Sequence, residues 1–385
     1  MLRFLDAGES HGRGMVTIVE GLPHGLSLRA ERVESELARR RLGHGRGARM
    51  RLEADRVEIL SGVRAGKTLG SPLSLLVRNV EYEKWQDIMS VEGEKTIAPM
   101  TAPRPGHADL AGAMKYGTHD LRDVLERASA RETVARVCVG AVCKALLGEV
   151  GITVCSHVLE VGGEKAEAGG VFPTLEEVMR ADDDEMRCLD RGASRRMVRA
   201  VDAAREEGDS LGGVFEVVAF GLPAGLGSHA HWDRRLDARL AAAVMSIQAV
   251  KGVEIGDGFE AARKRGSQAF DVIEHEPARG FYRLSNHAGG IEGGMSNGEP
   301  LVLRAAMKPI PTTARPRDTV DIVSKEKVKA TVERADVCAV PAAAIVAESS
   351  VAFVLAQALI EKTGGDSMYE IRERFGELET RQAGF

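Results

Sequence analysis

Aromatic residues make up only 4% of this sequence, with two tryptophans and four tyrosines. Proteins that bind single-stranded nucleic acid stack bases on aromatic rings inside a cationic groove. So few rings, with a formal net charge of -5, argue against a nucleic-acid partner. Cysteine is scarce too: Cys138, Cys143, Cys155, Cys188 and Cys338 are odd in number and sit in apolar contexts without ligand spacing. That pattern does not make a disulfide framework and fits a reducing cytoplasm. No uninterrupted apolar stretch approaches the roughly 20 residues of a membrane span, and Met1 to Gly12 lacks a signal-peptide core. The expectation is a soluble, unexported, cytoplasmic protein with no membrane partner. Neither a P-loop nor a dinucleotide fingerprint occurs with its required spacing. His229-Ala230-His231 has no acidic partner at ligand spacing, so no metal is expected.

What is present is an internal duplication in a chain of 385 residues, 44% of them hydrophobic, enough for a large core. Gly8-Glu9-Ser10-His11-Gly12 recurs as Gly208-Asp209-Ser210-Leu211-Gly212, and Gly21-Leu22-Pro23 recurs at Gly221-Leu222-Pro223, both at one shared offset. Gly62, Gly66, Thr68, Gly70 and Pro72 reappear as Gly290, Gly294, Ser296, Gly298 and Pro300, and Glu126 to Ser129 resembles Glu333 to Asp336. Each copy reads as an alternating strand (Met15 to Glu20, Val214 to Phe220), a Gly-Pro turn and a helix. Val33, Leu37 and Leu42 face inward in the first helix, and Leu236, Leu240, Val244 and Ile247 in the second. The mixed order of strands and helices predicts an α+β fold: one large domain over 1–385, helices packed with β-sheets in a sandwich of two pseudo-two-fold halves. The repeats run from about 1 to 150 and from about 205 to 365. Residues 156 to 207, with the acidic run Asp182 to Glu185, read as a solvated surface excursion.

His11 sits in a glycine-flanked loop where a ligand can approach closely and an imidazole can donate a proton; the alternative is a histidine bonded to a neighbouring strand. Leu211 holds the equivalent place in the second copy, so the turn can be built without an imidazole. His107 lies in Arg-Pro-Gly-His-Ala-Asp at 104 to 109, a proline-stiffened loop leading into a helical pattern. Arg104 beside it favours an anion, whereas Asp109 could cap the helix and leave His107 incidental. Ser129 and Glu132 form a Ser-x-x-Glu capping box before a helix with Val134, Val137, Cys138, Ala141, Val142 and Ala145 on one face. Its N-terminus, with Arg127 and Arg131 nearby, is either an anion site or a capped end. Arg39, Arg40, Arg41, Arg46, Arg49, Arg51 and Arg56 crowd one stretch beside Gly43, Gly45 and Gly47, which suits phosphate or carboxylate or else a solvated helix face. Gly289 to Gly294 and Lys308 to Thr312 could frame a flat cofactor, or be a tight hairpin and a proline turn.

Gly-Glu-Ser-His-Gly at 8 to 12, Arg-Pro-Gly-His-Ala-Asp at 104 to 109, Ala-Arg-Glu-Thr at 130 to 133, Val-Lys-Gly-Val-Glu-Ile-Gly-Asp-Gly-Phe at 250 to 259 and Ser-Asn-His-Ala-Gly-Gly at 285 to 290 stand in one order along the chain. Together they closely resemble the chorismate synthase family, nearly end to end. The resemblance implies a shikimate-pathway lyase that converts 5-enolpyruvylshikimate 3-phosphate into chorismate by anti-1,4-elimination of phosphate, using reduced FMN without net redox change. It implies His11 as the acid for the departing phosphate, His107 acting on the flavin, and Asp336 near flavin N5. FMN contacts would fall to Arg127, Ala128, Ser129, Gln248, Ala249, Gly293, Lys308, Pro309, Ile310, Pro311, Thr312 and Arg334. Ser10, Arg40, Arg46, Arg104 and Arg131 would bind the substrate's phosphate and carboxylates, or NADPH in relatives that reduce their own flavin. A homotetramer supplied by an external flavin reductant is implied as well. The sequence departs from the family at Ala128, Gln248 and Ala335, where serine, asparagine and histidine are usual. A flavin reductase built on Arg40 and Arg46, and an anion- or RNA-binding module on the arginine stretch, are the competing classes.

Overall fold

The computed structural model describes residues 1–47, 55–93, 95, 97–167, 172–277, 279–333 and 335–385, so Arg49, Arg51 and Arg334 lie outside the described residues. The N-terminal half contributes strands β1 (Arg3–Ala7), β2 (Gly14–Glu20), β3 (Val57–Ser61) and β4 (Leu73–Arg78), which pair antiparallel in the order β1-β2-β4-β3. A second antiparallel sheet holds β5 (Thr153–Val161), β6 (Glu164–Lys165), β7 (Gly213–Phe220), β8 (Val250–Ile255) and β9 (Leu301–Met307) in the order β8-β9-β7-β5-β6. Setting β6 aside, β5-β7-β9-β8 follows the same order as the first sheet: first, second, fourth, third.

The duplicated turns match down to their hydrogen bonds. Thr68 Oγ1 accepts from Leu26 N at 2.9 Å and donates to Pro23 O at 2.6 Å. Ser296 Oγ accepts from Leu226 N at 2.8 Å and donates to Pro223 O at 2.6 Å. A hydroxyl is needed at both places because it serves one buried backbone donor and one acceptor together.

The longer helices are α1 (Ala30–Arg41), α2 (Asp109–Tyr116), α3 (Arg122–Ala128), α4 (Thr133–Gly148), α5 (Arg191–Glu207), α6 (Leu236–Met245) and α7 (Val340–Thr363), followed by a C-terminal helix over Met368–Ala383. α7 packs along α4 and against α1, α6, β5 and β7, while α4 also meets β2. One contiguous apolar core therefore draws on both halves. Contrary to the expectation that no stretch is apolar enough, α7 has the length and hydropathy of a membrane span; 83% of its most apolar window is buried inside the fold. Its close approach to α4 depends on Gly140, where a Cβ would stand 2.2 Å from Ser349 Cβ. Gly140→Ala is expected to lower stability by about 1–3 kcal/mol through overpacking. Urea unfolding measures this, and an unchanged midpoint would show that the helices can move apart freely.

Several sequence expectations change. Leu42 is 49% exposed, because α1 ends at Arg41 and the extended backbone of Leu42 leaves the helical stripe. The expected capping box does not form: Ser129 caps a short 3-10 turn through Arg131 N, while Glu132 turns to Arg136 and Gln248. The segment from 156 to 207 is no surface excursion. It supplies most of β5, with Ser156, His157 and Val158 buried, and α5 with a buried face. Half of its acidic run is structural: Asp182 pairs with Arg39 and Arg187, and Asp184 accepts from Met186 N, Cys188 N and Ser194 Oγ, while Asp183 and Glu185 are exposed. All five cysteines are free and buried. Burial pushes the Cys138 thiol up to about 12, so it packs as a small apolar side chain.

Candidate active site

The turn from Gly8 to Gly12 leaves β1 and enters β2. At Gly8, with φ at +125°, a Cβ would lie 2.2 Å from Gly14 O, so only glycine closes the bend. The bend presses the next residues onto α3. Ser10 N donates to Glu126 O at 3.0 Å, and His11 N donates to Glu126 Oε2 at 2.8 Å. His11 Nδ1 lies 3.0 and 3.1 Å from the two carboxylate oxygens of Glu126. Arg122, one turn earlier on α3, donates to Glu126 Oε1 at 2.9 Å. Burial pushes the Glu126 carboxyl up, but its bonds from His11 and the Arg122 charge outweigh that and hold it below the usual carboxylate range. Trp85, from the one-turn helix Tyr82–Trp85, stacks on the His11 imidazole with centroids 3.9 Å apart and planes inclined by 26°. The Arg122 guanidinium also lies against the indole, 5.1 Å from its centroid.

Two buried guanidinium groups adjoin this turn. Arg131, 4% exposed, donates to Asn79 Oδ1 and to Asp55 Oδ1, each at 2.8 Å. Asn79 in turn donates to Glu9 O and Gly12 O, which ties Arg131 to the His11 loop. Arg40, equally buried, donates to Thr133 Oγ1 at 2.9 Å and Ala130 O at 3.2 Å. Ser129 Oγ lies 3.2 Å from Ser10 Oγ. Ser10, His11, Ser129, Arg40 and Arg131 thus form one cluster where α1, α3 and α4 meet the first sheet.

A second cluster is built on the loop before α2. Arg104 grips Asp109 with its backbone N, Nε and Nη2, and reaches Thr312 Oγ1 at 3.0 Å. His107 Nδ1 lies 2.5 Å from Asp109 Oδ1. Burial alone would raise the Asp109 carboxyl, yet the bonds from His107 and Arg104 hold it well below its usual range. Lys308 Nζ donates to Gly106 O at 2.5 Å, and a cavity of about 510 Å³ opens between Pro105, Lys308, Pro311, Ser210 and Arg317. The clusters are joined by side chains and backbone: Gln248 Nε2 donates to Glu132 Oε2 at 2.8 Å, and Lys308 N donates to Ala249 O at 2.9 Å. The second-copy turn borders the same cavity, with Ser210 Oγ donating to Ile310 O at 2.7 Å and Leu211 N to Val337 O at 2.8 Å. Arg46 pairs with Asp336 at 2.6 Å, and Gly47 N donates to the other carboxylate oxygen.

The family model for chorismate synthase matches residues 2–360. The chain belongs to the chorismate synthase family. A chorismate synthase from Salinispora tropica is 56% identical over 381 residues, 97% of each chain. One from Geotalea uraniireducens is 55% identical over 387 residues, covering 97% of this chain and 98% of its own. A crystal structure of chorismate synthase matches with a TM-score of 0.81 at 44% identity, over 100% of this chain and 99% of that one.

The positions that resemblance to chorismate synthase picked out do not all meet. Arg127 backs the first turn, donating to Gly8 O at 3.1 Å and pairing with Asp6. Gly293 lies in the turn between Ile291–Glu292 and Met295–Ser296, and no hydrogen bond among the described residues ties it to either cluster. Within the arginine stretch, Arg39 and Arg40 are not solvated but point into carboxylate and carbonyl partners inside the fold, whereas Arg56 is exposed. Reasoning from sequence missed Glu126, Arg122, Trp85, Asn79 and Asp55 as members of the site. Glu126 stood in a repeated segment, and Trp85 is one of only two tryptophans, but neither fact points to His11.

Proposed function

We propose that the chain eliminates phosphate from 5-enolpyruvylshikimate 3-phosphate to give chorismate, with reduced FMN as cofactor. The observation that carries this reading is His11, held at Nδ1 by the buried Glu126 carboxylate beside the buried guanidinium groups of Arg40 and Arg131. The substrate's phosphate and carboxylates call for forked cationic donors, and its leaving group calls for a proton. Arg40, Arg131 and Ser10 bind those anions in this reading, with Arg46 and Arg104 at the margins. His11 holds a proton at Nε2 and passes it to the phosphate oxygen as the carbon–oxygen bond breaks. The ring hydrogen leaves as a proton, and no electrons are gained or lost overall. The charge that builds on the departing oxygen is the quantity these cations stabilise.

Reduced FMN suits the second cluster, whose cavity of about 510 Å³ is of cofactor size and carries Lys308 and Arg317 on its wall. Lys308 to Thr312 would hold it from the cavity side, and Arg127, Ala128 and Ser129 of the His11 cluster, with Gln248 and Ala249 on the link between the clusters, would meet it from the other. When bound, the reduced flavin supplies the electron density that eases carbon–oxygen cleavage. His107 and Asp336 would hold protons at its edge. We also propose a cytoplasmic homotetramer fed by an external flavin reductant, with NADPH used only by a chain that reduces its own flavin. The shared strand order of the two sheets supports a pseudo-two-fold relation between the halves.

Anaerobic incubation of the protein with dithionite-reduced FMN and 5-enolpyruvylshikimate 3-phosphate is expected to yield chorismate and phosphate in equal amounts. Folded protein that releases neither would overturn the reading. Anaerobic oxidation of NADPH in the presence of FMN would assign it reductase activity as well.

A further inference from the structure

We infer that Glu126 is the positioning residue of His11, confining the imidazole's exchangeable proton to Nε2, with Trp85 and Arg122 locking the ring in that orientation. The inference rests on the reading of His11 as the acid of the elimination.

A carboxylate accepts hydrogen bonds and has no proton to give, and Glu126 is held below the usual carboxylate range by its own donors. Because both of its oxygens lie within 3.1 Å of His11 Nδ1, that nitrogen must be the protonated one. Proton gain and loss are left to Nε2, so the ring alternates between one neutral tautomer and the imidazolium. A carboxylate that fixes a tautomer in this way matters most when the opposite nitrogen exchanges a proton with a reacting group.

The ring is also fixed in rotation. His11 N donates to the same carboxylate, so backbone and imidazole are anchored together on one residue 115 positions away. The indole of Trp85 covers one imidazole face, and Arg122 touches both the indole and the carboxylate. Glu126 therefore receives three kinds of donor: a backbone N–H, an imidazole N–H and a guanidinium N–H. Glutamine in its place offers a single acceptor oxygen to those three. Its amide N–H₂ would be turned toward either Arg122, which repels it, or Nδ1, which can accept only by surrendering its proton. The tautomer then shifts to Nε2–H. The structural role of the turn does not demand this arrangement, since Leu211 N in the second copy is satisfied by a backbone carbonyl.

The test uses the full chain with ¹⁵N-labelled histidine. In the wild type, the His11 nitrogens at alkaline pH are expected to report Nδ1 protonated and Nε2 bare. Glu126→Gln is expected to move the proton toward Nε2 and to lower kcat about 100-fold, with KM and FMN affinity within about 3-fold of wild type. A neutral wild-type ring protonated at Nε2 overturns the inference without any variant, which covers the case in which Glu126→Gln does not fold. A folded variant that keeps kcat within about 3-fold also overturns it, as does one that loses kcat while Nδ1 stays protonated. If the wild type eliminates no phosphate, the proposed activity falls, while the nitrogen signals still decide the role of Glu126.

Discussion

His11→Ala is expected to lower turnover by about 100-fold or more while leaving the fold and flavin binding intact. General acid catalysis is typically worth about 100-fold to 10,000-fold, and a departing phosphate oxygen without a proton donor must leave as a more highly charged ion. The fold should survive for two reasons. Glu126 keeps Arg122 as a partner after the imidazole is gone, so no buried carboxylate is orphaned. The turn at the repeated Gly-x-Ser-x-Gly sequence carries Leu211, whose backbone N–H is satisfied by Val337 O, so a glycine turn of this sequence pattern does not need an imidazole. His11→Leu makes the first turn copy the second and serves as a matched control. Turnover under anaerobic conditions with reduced FMN, read beside a thermal melt, separates loss of chemistry from loss of structure. Turnover within a few-fold of wild type would remove His11 from the acid role.

Glu348→Ala should be the most destabilising single change. Glu348 is fully buried in the middle of α7, where Arg39 Nη1 donates to it at 2.7 Å and Ser156 Oγ at 2.7 Å, and where Lys144 and Arg187 also approach. Glu36 bonds Arg39 and Lys144, and Asp182 pairs with Arg39 and Arg187, so cations and carboxylates balance inside the fold. Removing Glu348 leaves Arg39, Lys144 and Arg187 with only Glu36 and Asp182. Breaking one side of a buried ion-pair network typically costs about 3–5 kcal/mol, because the remaining charge is neither solvated nor paired. Urea unfolding measures the loss, and a change under about 1 kcal/mol would mean that water replaces the carboxylate.

The same residue sets a pH dependence. Burial acts to raise the Glu348 carboxyl, but Lys144, Arg39 and Arg187 hold it far below the usual range. A depressed carboxylate contributes its stability fully above the unfolded value near about 4.3, and loses it as pH falls through that value toward the native one. Glu348→Gln should therefore show a flatter loss of stability in acid than the wild type.

The sequence by itself determined the local features and the lineage. The alternating strand at Met15 to Glu20, the helical stripes of Val33 and Leu37 and of Leu236, Leu240 and Val244, and the glycines of both turns appear where the pattern places them, whereas the strand at Val214 to Phe220 stands where expected but is buried on both faces instead of alternating. Such features are legible because backbone conformation and the buried face of an element depend on residues a few positions apart. The His11 and Leu211 contrast was legible for the same reason, since two copies of one turn differ at one chemically decisive side chain.

Only the tertiary structure decided who partners whom. Ser129 and Glu132 have the spacing of a capping box, yet Glu132 answers to Gln248 from another helix end. Asp182 looked solvated and instead neutralises Arg39 across the fold, and Leu42 left its stripe by one residue of extended backbone. The Glu126 carboxylate reaches His11 across 115 residues, and Trp85 arrives from a separate one-turn helix. A charged or aromatic side chain carries no mark of its distant partner. That partner is chosen by how helices and sheets pack, and by the cost of burying any polar group without one.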